Sequence, residues 1–363
     1  MTIAEDLRWL VEHESPSRDA DRVTSLAKRI AGRLSAEGLD AASVPCPGSG
    51  NALRATLRAP GRSGGTLLVG HLDTVWPAGT LGERPFRIEA GRATGPGAFD
   101  MKAGIAVALS VLSGLATASP RPRVSVFLAP DEEIGSGGSR EALVAFAREH
   151  ERVLVLEPSS AGAVKIARKG TGLVEAAFRG RSAHAGLEPE KGASALLEMA
   201  RFALFLESAA NAPAGTTVTP TVAASGSATN VVPAEARLTA DVRVWTAAEE
   251  ARVRAVLAAY GPGDDRVEVE IAARFDRPPM EETPASRALY EEMRSIAAEL
   301  GTTLPSERVG GASDGNLTAS AGVPTLDGLG PSGGGAHAAH EWVDVGDLPF
   351  RAELLGRFLR AHP

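Results

Sequence analysis

The chain has 363 residues, 44% of them hydrophobic, a single cysteine and a net charge of −7. That length exceeds the usual single domain, so two domains with real cores are expected. The acidic balance argues against a nucleic-acid binder, which concentrates Lys and Arg on one face. Cys46 alone excludes an internal disulfide and a cysteine-rich metal site, so any metal must be held by His and carboxylates.

The opening segment, MTIAEDLRWLVEHESPS, is acidic and too short in apolar length for a signal peptide. It reads as an amphipathic helix with Ile3, Leu7, Leu10 and Val11 on one face. A second helix is expected over 19–37, stopped by Gly38. TLLVG (66–70) reads as a buried strand, 101–115 as a packed helix, and RVSVFLA (123–129) and RVLVL (152–156) as two more buried strands. This alternation predicts an α/β fold, a mostly parallel sheet flanked by helices.

The pattern changes after Pro158. LVEAAFR (173–179) and ARLTADVRV (236–244) alternate like half-buried strands, with helices near 193–207 and 247–259. These predict a small α+β domain of two helices on an antiparallel sheet. A helix resumes near Pro284, a Gly-rich stretch follows, and a helix near 345–360 closes the chain. The expected organisation is a discontinuous catalytic domain, 1–162 plus 275–363, with an insert over 163–274. No stretch approaches the roughly 20 apolar residues needed to cross a membrane. A cytoplasmic protein with no membrane and no nucleic-acid partner is expected.

The polar residues that follow the buried strands carry the chemistry. TLLVG is followed by His71 and Asp73, VSVFLAP by Asp131, Glu132 and Glu133, and VLVL by Glu157. In an open α/β sheet, ligands bind beyond the carboxyl ends of the strands. Asp100 joins them from a Gly-rich turn before the 101–115 helix. Burying several carboxylates together is costly without a cation to neutralise them. One histidine with several carboxylates suits zinc or a similar divalent metal.

The chain resembles a known family at GHLDTV (70–75), GPGAFDMKAG (95–104), DEEIGSGGSR (131–140), LEPS (156–159), SAHAG (182–186), TNVVP (229–233), ADVR (240–243), GGASD (310–314) and GAHAAHEWVD (335–344). These match, in order, the dinuclear zinc peptidases that include glutamate carboxypeptidase, aminoacylase-1 and succinyl-diaminopimelate desuccinylase. HLDTVWPAGT and RSAHAGLEPEKG point to the glutamate carboxypeptidase branch. The sequence departs from the family at Ala103.

The resemblance implies a zinc-exopeptidase-like fold whose insert is a dimerisation and lid domain. It implies two Zn2+ per subunit, with Co2+ or Mn2+ able to substitute. His71 and Glu157 would hold one metal, Glu133 the second, and Asp100 both, with Asp73 orienting His71. A bridging water between cations about 3.5–4 Å apart becomes a hydroxide nucleophile near neutral pH. Glu132 would act as general base, taking the water's proton and passing it to the leaving nitrogen. Spacing does not separate Glu132 from Glu133; the resemblance does. The last ligand stands about four residues before Glu341, which gives His337, with His340 as the alternative. His184 would reach a partner subunit's site and steady the oxyanion. Asn230 and Arg243 would bind substrate, the arginine by a two-pronged bond to a free carboxylate. Gly311 and Ser313 offer further loop donors. Arg168, Lys169 and Arg308 are candidates for side-chain specificity. His13, His150, His362 and Cys46 have no motif around them.

The function implied is hydrolysis of the amide bond next to a C-terminal, carboxylate-bearing amino acid, on a small peptide or N-acyl amino acid, by a homodimer. The alternatives are an N-acyl amino acid deacylase and a non-catalytic binding member of the family.

Overall fold

The computed structural model describes residues 2–59 and 64–362. They divide into two compact units. The first comprises Met1–Ala167, Glu282–Val309 and Ser313–Pro363; the second comprises Arg168–Glu281 and Gly310–Ala312.

In the first unit, the helix Ile3–Val11 opens with a reciprocal cap. Thr2 accepts from the Glu5 amide, and the Glu5 carboxylate accepts from the Thr2 amide. Leu7, Leu10 and Val11 are buried on its inner face. Asp19 caps the helix Ala20–Ala36, and Gly38 follows it in the left-handed region, φ 89°, where glycine carries no Cβ penalty. Asp6, fully buried, takes a two-pronged bond from Arg33 and ties these two helices together.

The main sheet runs in the order Asp40–Val44, Ala52–Leu57, Val124–Ala129, Thr66–His71, Arg152–Val155, Thr325–Leu326. The last four strands are parallel to one another, while Ala52–Leu57 pairs antiparallel with both Asp40–Val44 and Val124–Ala129, so the sheet is mostly parallel with an antiparallel edge. Thr66–His71 is central and buried along its whole length. Its register sets His71 beside Ala129 and Val69 beside Val155. Three strands therefore deliver His71, the 131–133 turn and Glu157 to one edge of the sheet.

A π-turn, Ala98–Lys102, leads into the helix Ala103–Ala116. By length and composition, 98–116 could cross a membrane, although it carries Asp100 and Lys102 and so is no continuous apolar run. Its place in the fold explains the composition, because 78% of the window is buried inside the protein. A helix enclosed by neighbours is apolar all round. Gly104 permits its closest approach to the sheet: a Cβ there would stand 2.1 Å from the Leu156 carbonyl oxygen.

The second unit is a four-stranded antiparallel sheet in the order Thr217–Ser225, Glu235–Val244, Gly170–Arg179, Glu268–Arg277. Alternate residues such as Val174, Ala176, Phe178, Leu238 and Val242 form a core with the helices Ala195–Phe205 and Ala247–Ala258. Thr217–Ser225 is an edge strand, largely exposed and broken by a register shift after Pro220. Leu197 and Leu204 project from the Ala195–Phe205 helix at 58% and 69% exposure.

Glu198, on that helix, is fully buried and accepts from the Tyr260 hydroxyl at 2.5 Å, the Gly263 amide at 2.9 Å and Arg201 at 2.7 Å. Burial opposes its charge, but the bonds from Tyr260, Gly263 and Arg201 together outweigh it and hold the carboxyl below its ordinary 4.5. Glu198→Gln turns an amide group toward these donors and should destabilise the fold by about 1–3 kcal/mol. The lowered folded-state value means this contribution is fully present above pH 4.5 and is lost as pH falls from there through that lower value. Denaturant melts should show a gap between wild type and variant at pH 7 that narrows in acid. Equal stability at pH 7 would remove Glu198 as a structural anchor.

Candidate metal centre

His71 ends the central strand with its side chain 1% exposed. Its Nδ1 faces the Asp73 carbonyl oxygen at 2.9 Å and the Asp73 carboxylate at 3.4 Å. Those contacts leave Nε2 for the cluster, 3.2 Å from Asp100 Oδ1 and 3.5 Å from Glu157 Oε1. Asp73 also accepts from the backbone amides of Glu132 at 3.0 Å and Glu133 at 3.2 Å. One buried carboxylate thus joins the end of the His71 strand to the 3-10 turn Glu132–Ile134.

Asp131 is directed away from the cluster. Its oxygens accept from the Ser139 hydroxyl, the Ser49 hydroxyl and the Gly138 amide, which folds the loop behind the turn. Of the acidic trio, only Glu132 and Glu133 face the site.

Asp100 follows Gly97, φ 70°, and precedes a cis peptide bond to Met101. Its two oxygens face different histidines: Oδ1 meets His71, while Oδ2 lies 3.3 Å from His337 Nε2. His337 Nε2 is also 3.0 Å from Glu133 Oε2. The His337 backbone is left-handed, φ 62°, and turns the ring toward the cluster. His340 lies against Gly335 instead. The arrangement is therefore two pairs, His71 with Glu157 and His337 with Glu133, with Asp100 between them.

Donor atoms of His71, Asp100 and Glu133 all lie within 4.8 Å of one another, as do those of His71, Glu132 and Glu157. Proximity alone thus groups Glu132 with the donors. Burial pushes the Glu133 carboxyl up to about 7. Burial also acts against ionised Asp100, but its bonds to His337 and His71 hold it well below the usual range. The bond to Asp100 raises His337 to about 9.

The remaining candidates sit on other elements. His184 and Asn230 belong to the second unit, where His184 bridges Val231 and the Ala185 amide donates to the Asn230 carbonyl at 2.8 Å. SAHAG and TNVVP are thereby neighbours. Arg243, also in that unit, is paired through Nε and Nη2 with Asp241 on the same strand face, both at 2.9 Å. That pairing has a sequence signal, an i, i+2 spacing within ADVR. Ser313 is buried and caps the helix Asp314–Ser320, donating to Asp327 and accepting from the Gly315 amide. Its hydroxyl is committed to the fold.

The sequence profile of peptidase family M20/M25/M40 matches residues 67–361, more than half of the chain. The chain belongs to peptidase family M20/M25/M40. Carboxypeptidase G2 from Pseudomonas sp. (strain RS-16) is 30% identical over 98% of this chain and 88% of its own length. A succinyl-diaminopimelate desuccinylase from Alkalilimnicola ehrlichii is 29% identical over 80% of this chain and 82% of its own. The solved structure of aminopeptidase PepT from Bacillus cereus superposes with a TM-score of 0.78, at 21% identity, over 98% of this chain and 97% of its own. The mixed α/β architecture is thus the M20 fold.

M20 enzymes are dinuclear, metal-dependent hydrolases. The residues present fit such a metal pair. Glu133 Oε1 is buried without a hydrogen-bond partner, which a cation would supply. The donors are imidazole nitrogens and carboxylate oxygens, suited to zinc, cobalt or manganese.

Proposed function

We propose that this M20 hydrolase cleaves the amide bond next to a C-terminal, carboxylate-bearing amino acid, using two zinc ions. The observation that carries the two-metal reading is Asp100 presenting one oxygen to each of two histidine–glutamate pairs. His71, Glu157 and Asp100 would hold one ion, and His337, Glu133 and Asp100 the other. When bound, the metals make water a nucleophile near neutral pH and polarise the scissile carbonyl. Glu132 takes the water's proton and delivers it to the leaving nitrogen. Asp73 fixes the His71 ring and the amides on either side of that base.

The similarity to carboxypeptidase G2 over nearly the whole chain supports the C-terminal preference. Arg243 would receive the substrate carboxylate and Asn230 would help bind it. Asp241 would set the guanidinium's orientation and give up part of its pairing on binding. His184, supplied by a partner subunit, would steady the oxyanion. The open edge of Thr217–Ser225 and the exposed Leu197 and Leu204 support a homodimer through the second unit. A second reading, N-acyl amino acid deacylase, is supported by similarity to the desuccinylase.

A panel of N-acyl amino acids and short peptides, varying the two sides of the amide separately, separates these readings. A carboxypeptidase follows the identity of the C-terminal residue, and a deacylase follows the acyl group. All turnover should vanish with chelator and return with Zn2+. Arg243→Ala should raise KM about 10-fold or more on carboxylate substrates, the loss of a charge-assisted bond. Equal turnover of amides lacking a free carboxylate would sink the clamp. His184→Ala should lower kcat about 10²–10³-fold without changing metal content. A fully active monomer in sedimentation would remove the partner's contribution.

A further inference from the structure

Glu341 is a buried carboxylate, 2% exposed, that the chemistry above does not use. Its Oε1 accepts from the backbone amides of Phe99 at 2.8 Å and Asp100 at 3.0 Å. Its Oε2 accepts from the Gly97 amide at 3.0 Å and the Trp76 indole at 2.9 Å. A carboxylate has about four acceptor positions, and donors fill them all. Three of those donors belong to the turn that presents Asp100, and the fourth to the segment just after His71 and Asp73.

The same residue anchors the His337 loop. Glu341 opens the strand Trp342–Asp344, which pairs with Arg92–Thr94, and its amide closes the preceding turn on Ala338. Arg84 adds a second tether, donating to the Ala339 carbonyl at 3.1 Å while stacking 3.8 Å over the Trp76 ring. The left-handed His337 backbone thus sits in a loop held at its far end by the group that holds Asp100.

We propose that Glu341 is a positioning residue for the metal position served by Asp100, Glu133 and His337. It fixes the separation between the donor shared by both positions and the histidine that belongs to one. Partners of ligating groups commonly change metal affinity about 10–100-fold when altered. The effect should fall mainly on this position, because Glu341 holds both Asp100 and the far end of the His337 loop here, whereas at the other position it reaches only the shared Asp100. This inference rests on the two-metal reading proposed above.

Glu341→Gln keeps the size, removes the charge and turns an amide N–H₂ toward donors that need an acceptor. The test is a Zn2+ titration of metal-free full-length protein against a competing chelator, with Co2+ absorption spectra at one and two equivalents. The melting temperature of the metal-free chain reports on folding. Wild type should bind two ions. Glu341→Gln should bind the first within about 3-fold of wild type and the second about 10–100-fold more weakly, losing the spectral change of the second Co2+. Trp76→Phe removes one donor and leaves the carboxylate charged; it should weaken the same ion several-fold, and it carries the test if Glu341→Gln does not fold. Two ions bound to either folded variant as tightly as to wild type would overturn the proposal. Equal weakening of both ions, or a lower melting temperature with unchanged affinities, would also overturn it. A wild-type chain that binds fewer than two ions would overturn the two-metal reading itself.

Discussion

Glu132→Gln should lower kcat by about 10²–10⁴-fold while the protein keeps both metals. The amide matches the carboxylate in shape but cannot take a proton, so the loss should appear in kcat more than in KM. The turn carrying Glu132 should survive, because Asp73 holds the amides of residues 132 and 133 through their backbone. Metal content discriminates here. Glu132 lies close enough to His71 and Glu157 to serve as a donor. If the variant loses one ion, Glu132 is a ligand and the proton carrier must be sought elsewhere. If it keeps two ions and near-normal turnover, the general-base assignment is wrong. Loss of turnover with two ions retained is the result the account requires.

Asp100→Ala should cost about 10³-fold or more in kcat/KM, about 4 kcal/mol. The carboxylate meets His71 through one oxygen and His337 through the other, so its removal separates two half-sites that each keep one histidine and one glutamate. Bound metal should fall from two ions to at most one, and added Zn2+ should not restore turnover. That irreversibility sets the variant apart from chelator-treated wild type, which Zn2+ should reactivate. Two tightly bound ions in Asp100→Ala would show that this carboxylate is not shared between them.

The parts of this site that could be read from sequence are those tied to local pattern. Thr66–His71, Val124–Ala129 and Arg152–Val155 are buried strands with near-continuous apolar runs, so the polar residues at their ends stand out. The Gly-rich turn before Asp100 is local in the same way. The antiparallel edge Asp40–Val44 and Ala52–Leu57 escaped because its strands are short, mixed in polarity and defined by pairing. Thr217–Ser225 escaped because Pro220 and its exposure make it read as a loop. The helix Ala103–Ala116 is legible as packed from its apolar run, whereas the kinked turn Ala98–Lys102 before it has no local pattern that announces it.

The partners of the site were harder to read than its candidate donors. Glu341 meets amides more than 240 residues away, and no local spacing encodes such a contact. The family resemblance implies that Asp73 steadies His71, while its hold on the Glu132–Glu133 turn depends on two strands ending at the same level. In sequence, His337 is favoured over His340 only by the family's spacing before Glu341. Only the left-handed backbone at His337, which residue type does not announce, turns one ring toward Asp100.

The most direct test of the account is the number of metal ions per chain in wild-type protein that has been stripped, equilibrated with Zn2+ and freed of loose metal. Two tightly bound ions per chain are predicted, shared through Asp100 between the His71–Glu157 and His337–Glu133 pairs. One ion or fewer would contradict it.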